Sequence, residues 1–174
     1  LLLYRPTAWL RALAEASDIM VAERFAAGVV FLQPDVTAAS AAKTELGKQL
    51  EAIGLNVAGW REVPLDLHVC GELAEAVRPH IAQIFVNAPA DMSEAVFERA
   101  LFRARRLAEK ALRHDEHFYV VTLSAHTIGY KAMVMPGALR AFYCDLAHPA
   151  LAASAATFHQ RFSTNTQPRW KLAQ

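Results

Sequence analysis

Cysteine is scarce in this sequence: two residues, Cys70 and Cys144, in 174 positions. They stand far apart and form no C-x-x-C pair, which argues against a disulfide scaffold and a zinc site and fits a reducing, cytoplasmic setting. Both read as small buried hydrophobes and not as reactive thiols. Long apolar runs are missing too. None approaches the ~20 residues that a membrane-crossing helix needs, so no membrane partner is expected. There is no excess of one charge: 18 Lys and Arg face 17 Asp and Glu, a net +1 at neutral pH. That balance gives no reason to expect nucleic acid or an acidic membrane as partner. The G-x-S-x-G elbow, the phosphate-binding P-loop and the G-x-G-x-x-G fingerprint are absent, as are repeats, linkers and low-complexity segments. The chain opens at Leu1 without a basic leader, so no signal peptide is visible, and the opening reads as mid-strand, which suggests a fragment.

What remains is the make-up of one globular domain with a core: 54% hydrophobic and 20% charged residues. Leu1–Tyr4 reads as the tail of a buried strand closed by Pro6. Thr7 is placed to cap a short helix carrying Trp9, Leu10 and Leu13. Residues 24–32 form a buried strand. Asp35 then caps a helix over about 36–53, with Leu46, Leu50 and Ile53 as its stripe and Gly54 as its stop. Strands follow over about 55–63 and 80–86, separated by a loop and a short helix over 71–77. The clearest helix runs from about Asp91 to Arg113, with Asp91 and Glu94 resembling a capping box. Its basic residues Arg103, Arg105, Arg106 and Lys110 read as a solvated face. Residues 118–123 and 127–133 read as a hairpin. Pro136 opens a short helix carrying Leu139, Phe142 and Tyr143. The alanines after Leu151 suggest a strand on which a neighbouring layer packs closely. Mixed strands and helices of this kind indicate an α+β fold.

Two places hold candidate chemistry. His114-Asp115-Glu116-His117 is the one histidine cluster, but its spacing lacks the H-E-x-x-H order of zinc peptidases, and histidines after a helix C-terminus complement the dipole. The second is the stretch from Thr157 to Trp170, where an alternating pattern dissolves into hydroxyls, amides and Pro168. An arginine at such a strand end can clamp a carboxylate with two parallel hydrogen bonds, and Thr164, Asn165 and Thr166 offer short donors and acceptors beside it. The same stretch also fits a surface strand and turn with an incidental arginine.

Read as a string, Arg161-Phe162-Ser163-Thr164-Asn165-Thr166, with Pro168, Trp170 and Leu172-Ala173-Gln174, resembles the glutaminase domain of glutamate synthase large subunits. These are class II glutamine amidotransferases of the N-terminal-nucleophile type. The resemblance extends through Ala27–Leu32, Gly59-Trp60-Arg61-Glu62-Val63-Pro64, Gly71-Glu72-Leu73-Ala74, Gln83–Val86, Tyr130-Lys131, Phe142-Tyr143 and Asp145-Leu146, in order and spacing. Ala132, Glu62 and Cys70 stand where the family usually has glycine, aspartate and leucine.

The resemblance implies a four-layer αββα sandwich, incomplete here. It implies a domain over residues 1–174 that lacks two segments of the family pattern, since neither Cys70 nor Cys144 matches the family's N-terminal cysteine nucleophile, and the Asn-Gly oxyanion element follows the matched block. It assigns Arg161 to the α-carboxylate of glutamine and Thr164 to orienting it, with Phe162 as a pocket wall and Asn165 at the pocket border. No catalytic residue and no metal ligand is expected within the segment. The parent reaction releases ammonia from glutamine and channels it to a distant synthase site, where 2-oxoglutarate is aminated with the help of FMN and an iron–sulfur cluster bound elsewhere. The expected partners are glutamine, the remainder of the large subunit and a small electron-donating subunit. The alternative is a non-catalytic ligand-binding or interaction module on the same fold, and the presence or absence of a processed cysteine upstream separates the two.

Overall fold

In a computed structural model of the chain, residues 1–160 and 169–172 are described. The elements in order are β1 (Leu2–Tyr4), α1 (Thr7–Glu15), β2 (Phe25–Leu32), α2 (Val36–Glu51), β3 (Asn56–Glu62), α3 (Glu72–Ala76), β4 (His80–Asn87), α4 (Glu94–Ala111), β5 (Tyr119–Ser124), β6 (Thr127–Gly129), α5 (Leu139–Phe142) and β7 (Ala155–Thr157). Short 3-10 turns cover Leu67–Val69, Pro136–Ala138, Cys144–Ala147 and Trp170–Leu172. The α+β expectation holds: there are two antiparallel sheets, ordered β3-β4-β2-β5 and β6-β1-β7, with helices.

The inner strands of the four-stranded sheet, β2 and β4, are buried on both faces, which is why they read as nearly continuous apolar runs. On one face Val30, Leu32, Ile84 and Val86 meet Leu46 and Leu50 of α2 and Phe97, Leu101, Ala104 and Ala108 of α4. Each large side chain fully buried there contributes roughly 1.5–3 kcal/mol. On the other face Phe25, Val29, Phe31 and Phe85 pack with Leu3 of β1, Ile128 of β6, Trp9 and Leu13 of α1, and Phe142, Tyr143 and Trp170. Gly28 of β2 is needed for its smallness: a Cβ there would lie 2.6 Å from the backbone carbonyl of Thr122 on β5.

Several local expectations are corrected. The two runs around Ser124 are not a hairpin. β5 pairs with β2 and β6 pairs with β1, so the chain passes from one sheet to the other between them. That crossing is held by polar contacts instead of a ladder: Ser124 Oγ and the Ala125 N–H donate to Glu98, and the N–H of Gly129 donates to Thr122 Oγ1 at 2.9 Å. Helix α4 is capped by Ser93, whose hydroxyl accepts from the Val96 N–H, and not by Asp91. Thr7 is the first residue of α1, and Pro6 stands at its cap with no side-chain bond. Asp35 does cap α2, accepting from the Ala38 N–H at 2.8 Å, and Gly54 follows with φ of 81°. Cys144 is exposed and Cys70 only partly covered, contrary to the expected burial of both. Cys144 opens a 3-10 turn whose inward positions are Asp145 and Leu146, which leaves the thiol outside. The alanines 152, 153, 155 and 156 are exposed.

Candidate functional site

Arg161, Phe162, Thr164 and Asn165 lie outside the described residues, which flank them in sequence on both sides. On the upstream side β7 is tied to β1, with Thr157 opposite Leu2 and Ala155 opposite Tyr4. Ser154 fastens the entry of β7, its N–H and its hydroxyl both donating to the Tyr4 carbonyl, at 2.8 and 3.0 Å. Phe158, His159 and Gln160 then run along a cavity of about 840 Å³ whose other walls include Leu1, Tyr130, Lys131, Leu139, Arg140 and Leu146. Its volume is in the range of a small-molecule site, and it pairs an apolar wall with a few polar ends, the usual make-up of such sites.

On the downstream side Trp170 is buried at 5% exposure. Its indole N–H donates to the Ala74 carbonyl of α3 at 2.9 Å. Its ring stands edge-on to Phe31 at 6.0 Å and tilted against Phe142 at 5.7 Å. The neighbouring Lys171 carbonyl accepts from Lys131 Nζ at 3.0 Å, and the same ammonium lies 4.7 Å from the centre of the Tyr119 ring.

Behind the cavity lies a buried polar cluster. Arg61 of β3 forms a two-pronged ion pair with Asp145, and its Nε donates to Gln83 Oε1 of β4 at 2.6 Å. Both charged side chains are nearly covered, at 9% and 5% exposure. Tyr143 donates its phenol proton to the Lys131 carbonyl at 2.6 Å. Burial pushes the Tyr130 phenol well above its ordinary value, and the Asp145 carboxylate adds to the effect. The Tyr143 phenol is raised by burial in the same way.

The chain belongs to the class-II glutamine amidotransferases. The family model matches residues 1–174. Among similar proteins, the ferredoxin-dependent glutamate synthase 2 of Synechocystis is 40% identical over 152 residues, covering 87% of this chain and 10% of its own. The NADPH glutamate synthase large chain of Azospirillum brasilense is 39% identical over 154 residues, covering 87% of this chain and 10% of its own. Its counterpart in Bacillus subtilis is 33% identical over 175 residues, covering 99% of this chain and 12% of its own. The chain thus spans about a tenth of the length of the curated relatives it matches.

Among the described residues, Lys131 joins Tyr143 to the Lys171 backbone next to Trp170, and Arg61 pairs with Asp145. The sequence does not announce these partnerships, because except for Tyr143 and Lys131 the partners stand 40 to 96 positions apart. The histidine cluster is elsewhere in purpose: Asp115 accepts from the N–H groups of His117 and Phe118 at 2.9 and 3.1 Å and so turns the chain into β5. Among the described residues, no three His, Cys, Asp or Glu side chains converge on a possible metal position. An iron–sulfur cluster takes four ligands, chiefly thiolates, and this chain has only the separated Cys70 and Cys144 to give. No helix among the described residues is long and apolar enough to cross a membrane.

Proposed function

We propose that the chain is the substrate-recognition part of the glutaminase domain of a glutamate synthase large subunit. Arg161 grips the α-carboxylate of glutamine through two parallel hydrogen bonds, and Thr164 orients it. Phe162 forms a wall and Asn165 borders the pocket. The observation that carries the reading is the family match over residues 1–174, with the cavity beside Phe158–Gln160 opening directly upstream of Arg161. The attacking thiol, the α-amine that moves its proton and the Asn-Gly oxyanion hole belong to flanking segments in this reading, since Cys70 and Cys144 both lie outside that cavity's lining.

The fold we propose is the αββα sandwich. Its support is the order of three layers: the α2 and α4 pair, the four-stranded sheet, then the three-stranded sheet. The ammonia released serves a distant synthase site that aminates 2-oxoglutarate, where FMN and an iron–sulfur cluster supply electrons. Relatives named for ferredoxin and for NADPH are 40% and 39% identical to the chain, so donor choice is not written in this segment. The remainder of the large subunit, and a small electron-donating subunit where there is one, act through those other regions. The scarcity of cysteine supports a cytoplasmic enzyme.

The test is Arg161→Lys in the full-length protein. Losing one charge-assisted bond of ~1.5–3 kcal/mol should raise the glutamine KM by roughly tenfold or more. An unchanged KM removes Arg161 from the pocket.

A further inference from the structure

Helix α4 packs one side onto the four-stranded sheet through Phe97, Leu101, Ala104 and Ala108. Its other side carries a row of cations. Arg99, Arg103, Arg106 and Lys110 recur at steps of four, three and four, and Arg113 continues the row just past the helix. All five are exposed. From Arg99 to Lys110 the row is about 16 Å long at the ordinary helical rise. Arg106 pairs with Glu109, whereas Arg99, Arg103, Lys110 and Arg113 make no ion pair among the described residues. Like charges three and four residues apart oppose the helix that carries them, so the row weakens α4 instead of supporting it.

Apolar side chains interrupt this row. Phe102 is 64% exposed and Leu107 38%. They border a shallow hollow of about 660 Å³ with Arg103, Arg106, Lys110 and Arg113 around it. An outward helix face is ordinarily polar throughout. A bare aromatic ring among arginines is instead the make-up of a protein interface, where both residue types are enriched.

Charge decides what the partner is. Residues 94–113 hold six of the 18 Lys and Arg and three of the 17 Asp and Glu, so the rest of the chain is net negative by two. A long nucleic acid would meet that negative remainder as well as the row, whereas a short acidic segment meets the row alone. A membrane surface draws on a broad apolar face, and here two residues supply it. We propose that the outer face of α4 docks an acidic protein segment. Its carboxylates lie on Arg99, Arg103, Lys110 and Arg113, and an apolar side chain of the segment lies against Phe102 and Leu107. Arginine suits the task, since its planar fork takes a carboxylate with two parallel hydrogen bonds.

The experiment uses the full-length enzyme and a fluorescein-labelled acidic peptide in which glutamates recur at helical spacing with leucines between them. Fluorescence anisotropy should show binding that weakens as salt rises. Phe102→Ala, and separately Arg103→Gln with Lys110→Gln, should each lower the affinity by about tenfold or more. Glutaminase kcat and KM should stay within about twofold of the parent. Replacing the leucines of the peptide by serine should weaken it as Phe102→Ala does. No binding to the parent enzyme overturns the proposal, as does binding that neither variant weakens. Tighter binding of a single-stranded oligodeoxynucleotide or of phosphatidylserine vesicles would make the row a phosphate reader and overturn it too. A smaller particle mass for Phe102→Ala than for the parent in light scattering would make the face a contact between copies, and the acidic partner would fall with that result.

Discussion

Removing the charge of Asp145 tests the energetics of the fold most sharply. Asp145 and Arg61 join the 3-10 turn after α5 to β3, 84 residues away, with side chains at 5% and 9% exposure. Neither has water to fall back on. In Asp145→Asn the Arg61 guanidinium keeps its bond to Gln83 but loses the anion that balances it. A buried charge left without its partner costs about 3–5 kcal/mol. Domains of this size are stable by only about 5–15 kcal/mol in all. The exposed pair Arg5–Glu94, at 63% and 50% exposure, is the internal control: Arg5→Gln, which leaves the His126–Glu94 contact in place, should cost no more than ~1 kcal/mol. Equilibrium urea denaturation, followed by the fluorescence of the buried Trp9 and Trp170, reads both. The double variant Arg61→Met with Asp145→Asn should be less damaged than Asp145→Asn, since it removes the stranded cation. A loss below ~1 kcal/mol for Asp145→Asn, or a double variant no more stable than Asp145→Asn, refutes the argument.

Two other outcomes follow from the core. Tyr130 and Tyr143 are buried as neutral phenols with their pKa raised above 10.0, so their stabilising contribution is complete below pH 10 and is lost as pH rises beyond it. The slope should approach about 1.4 kcal/mol per pH unit for each phenol, and Tyr130→Phe should roughly halve it in denaturation curves between pH 9 and 11. Gly28→Ala should destabilise by about 1–3 kcal/mol through overpacking, although alanine is ordinarily the better residue inside a strand; a stabilised variant in thermal melts would show that β2 and β5 can part.

Much of the fold was legible because single elements state their own period. Asp35, the 36–51 helix and Gly54 follow from capping chemistry and one apolar stripe. The buried stripe of α4, Phe97, Leu101, Ala104 and Ala108, is likewise local, and its basic side proved a solvated one, with Arg105 and Arg106 both paired to Glu109. What failed was pairing. Two strand-like runs three residues apart read as a hairpin, but the Glu98 carboxylate and the Ser124 hydroxyl bend the chain into a second sheet, and no local pattern announces a carboxylate from a distant helix. The cap of α4 was misassigned to Asp91 because Asp91 and Glu94 satisfy the capping-box spacing, whereas the helix begins at Glu94 and Ser93 precedes it. For the site, the Arg161–Thr166 string revealed the family, while the Arg61–Asp145 ion pair was split between two motifs that sequence alone does not connect.

The central claim is that Arg161 reads the α-carboxylate of glutamine. Its direct test compares hydrolysis of L-glutamine and of its α-carboxamide, which lacks that charge, by the full-length parent and Arg161→Ala enzymes. Arg161→Ala should lower kcat/KM for glutamine by tenfold or more, about 1.4 kcal/mol, and leave the carboxamide within about twofold. Equal losses for the two substrates would contradict the claim and make Arg161 a structural residue.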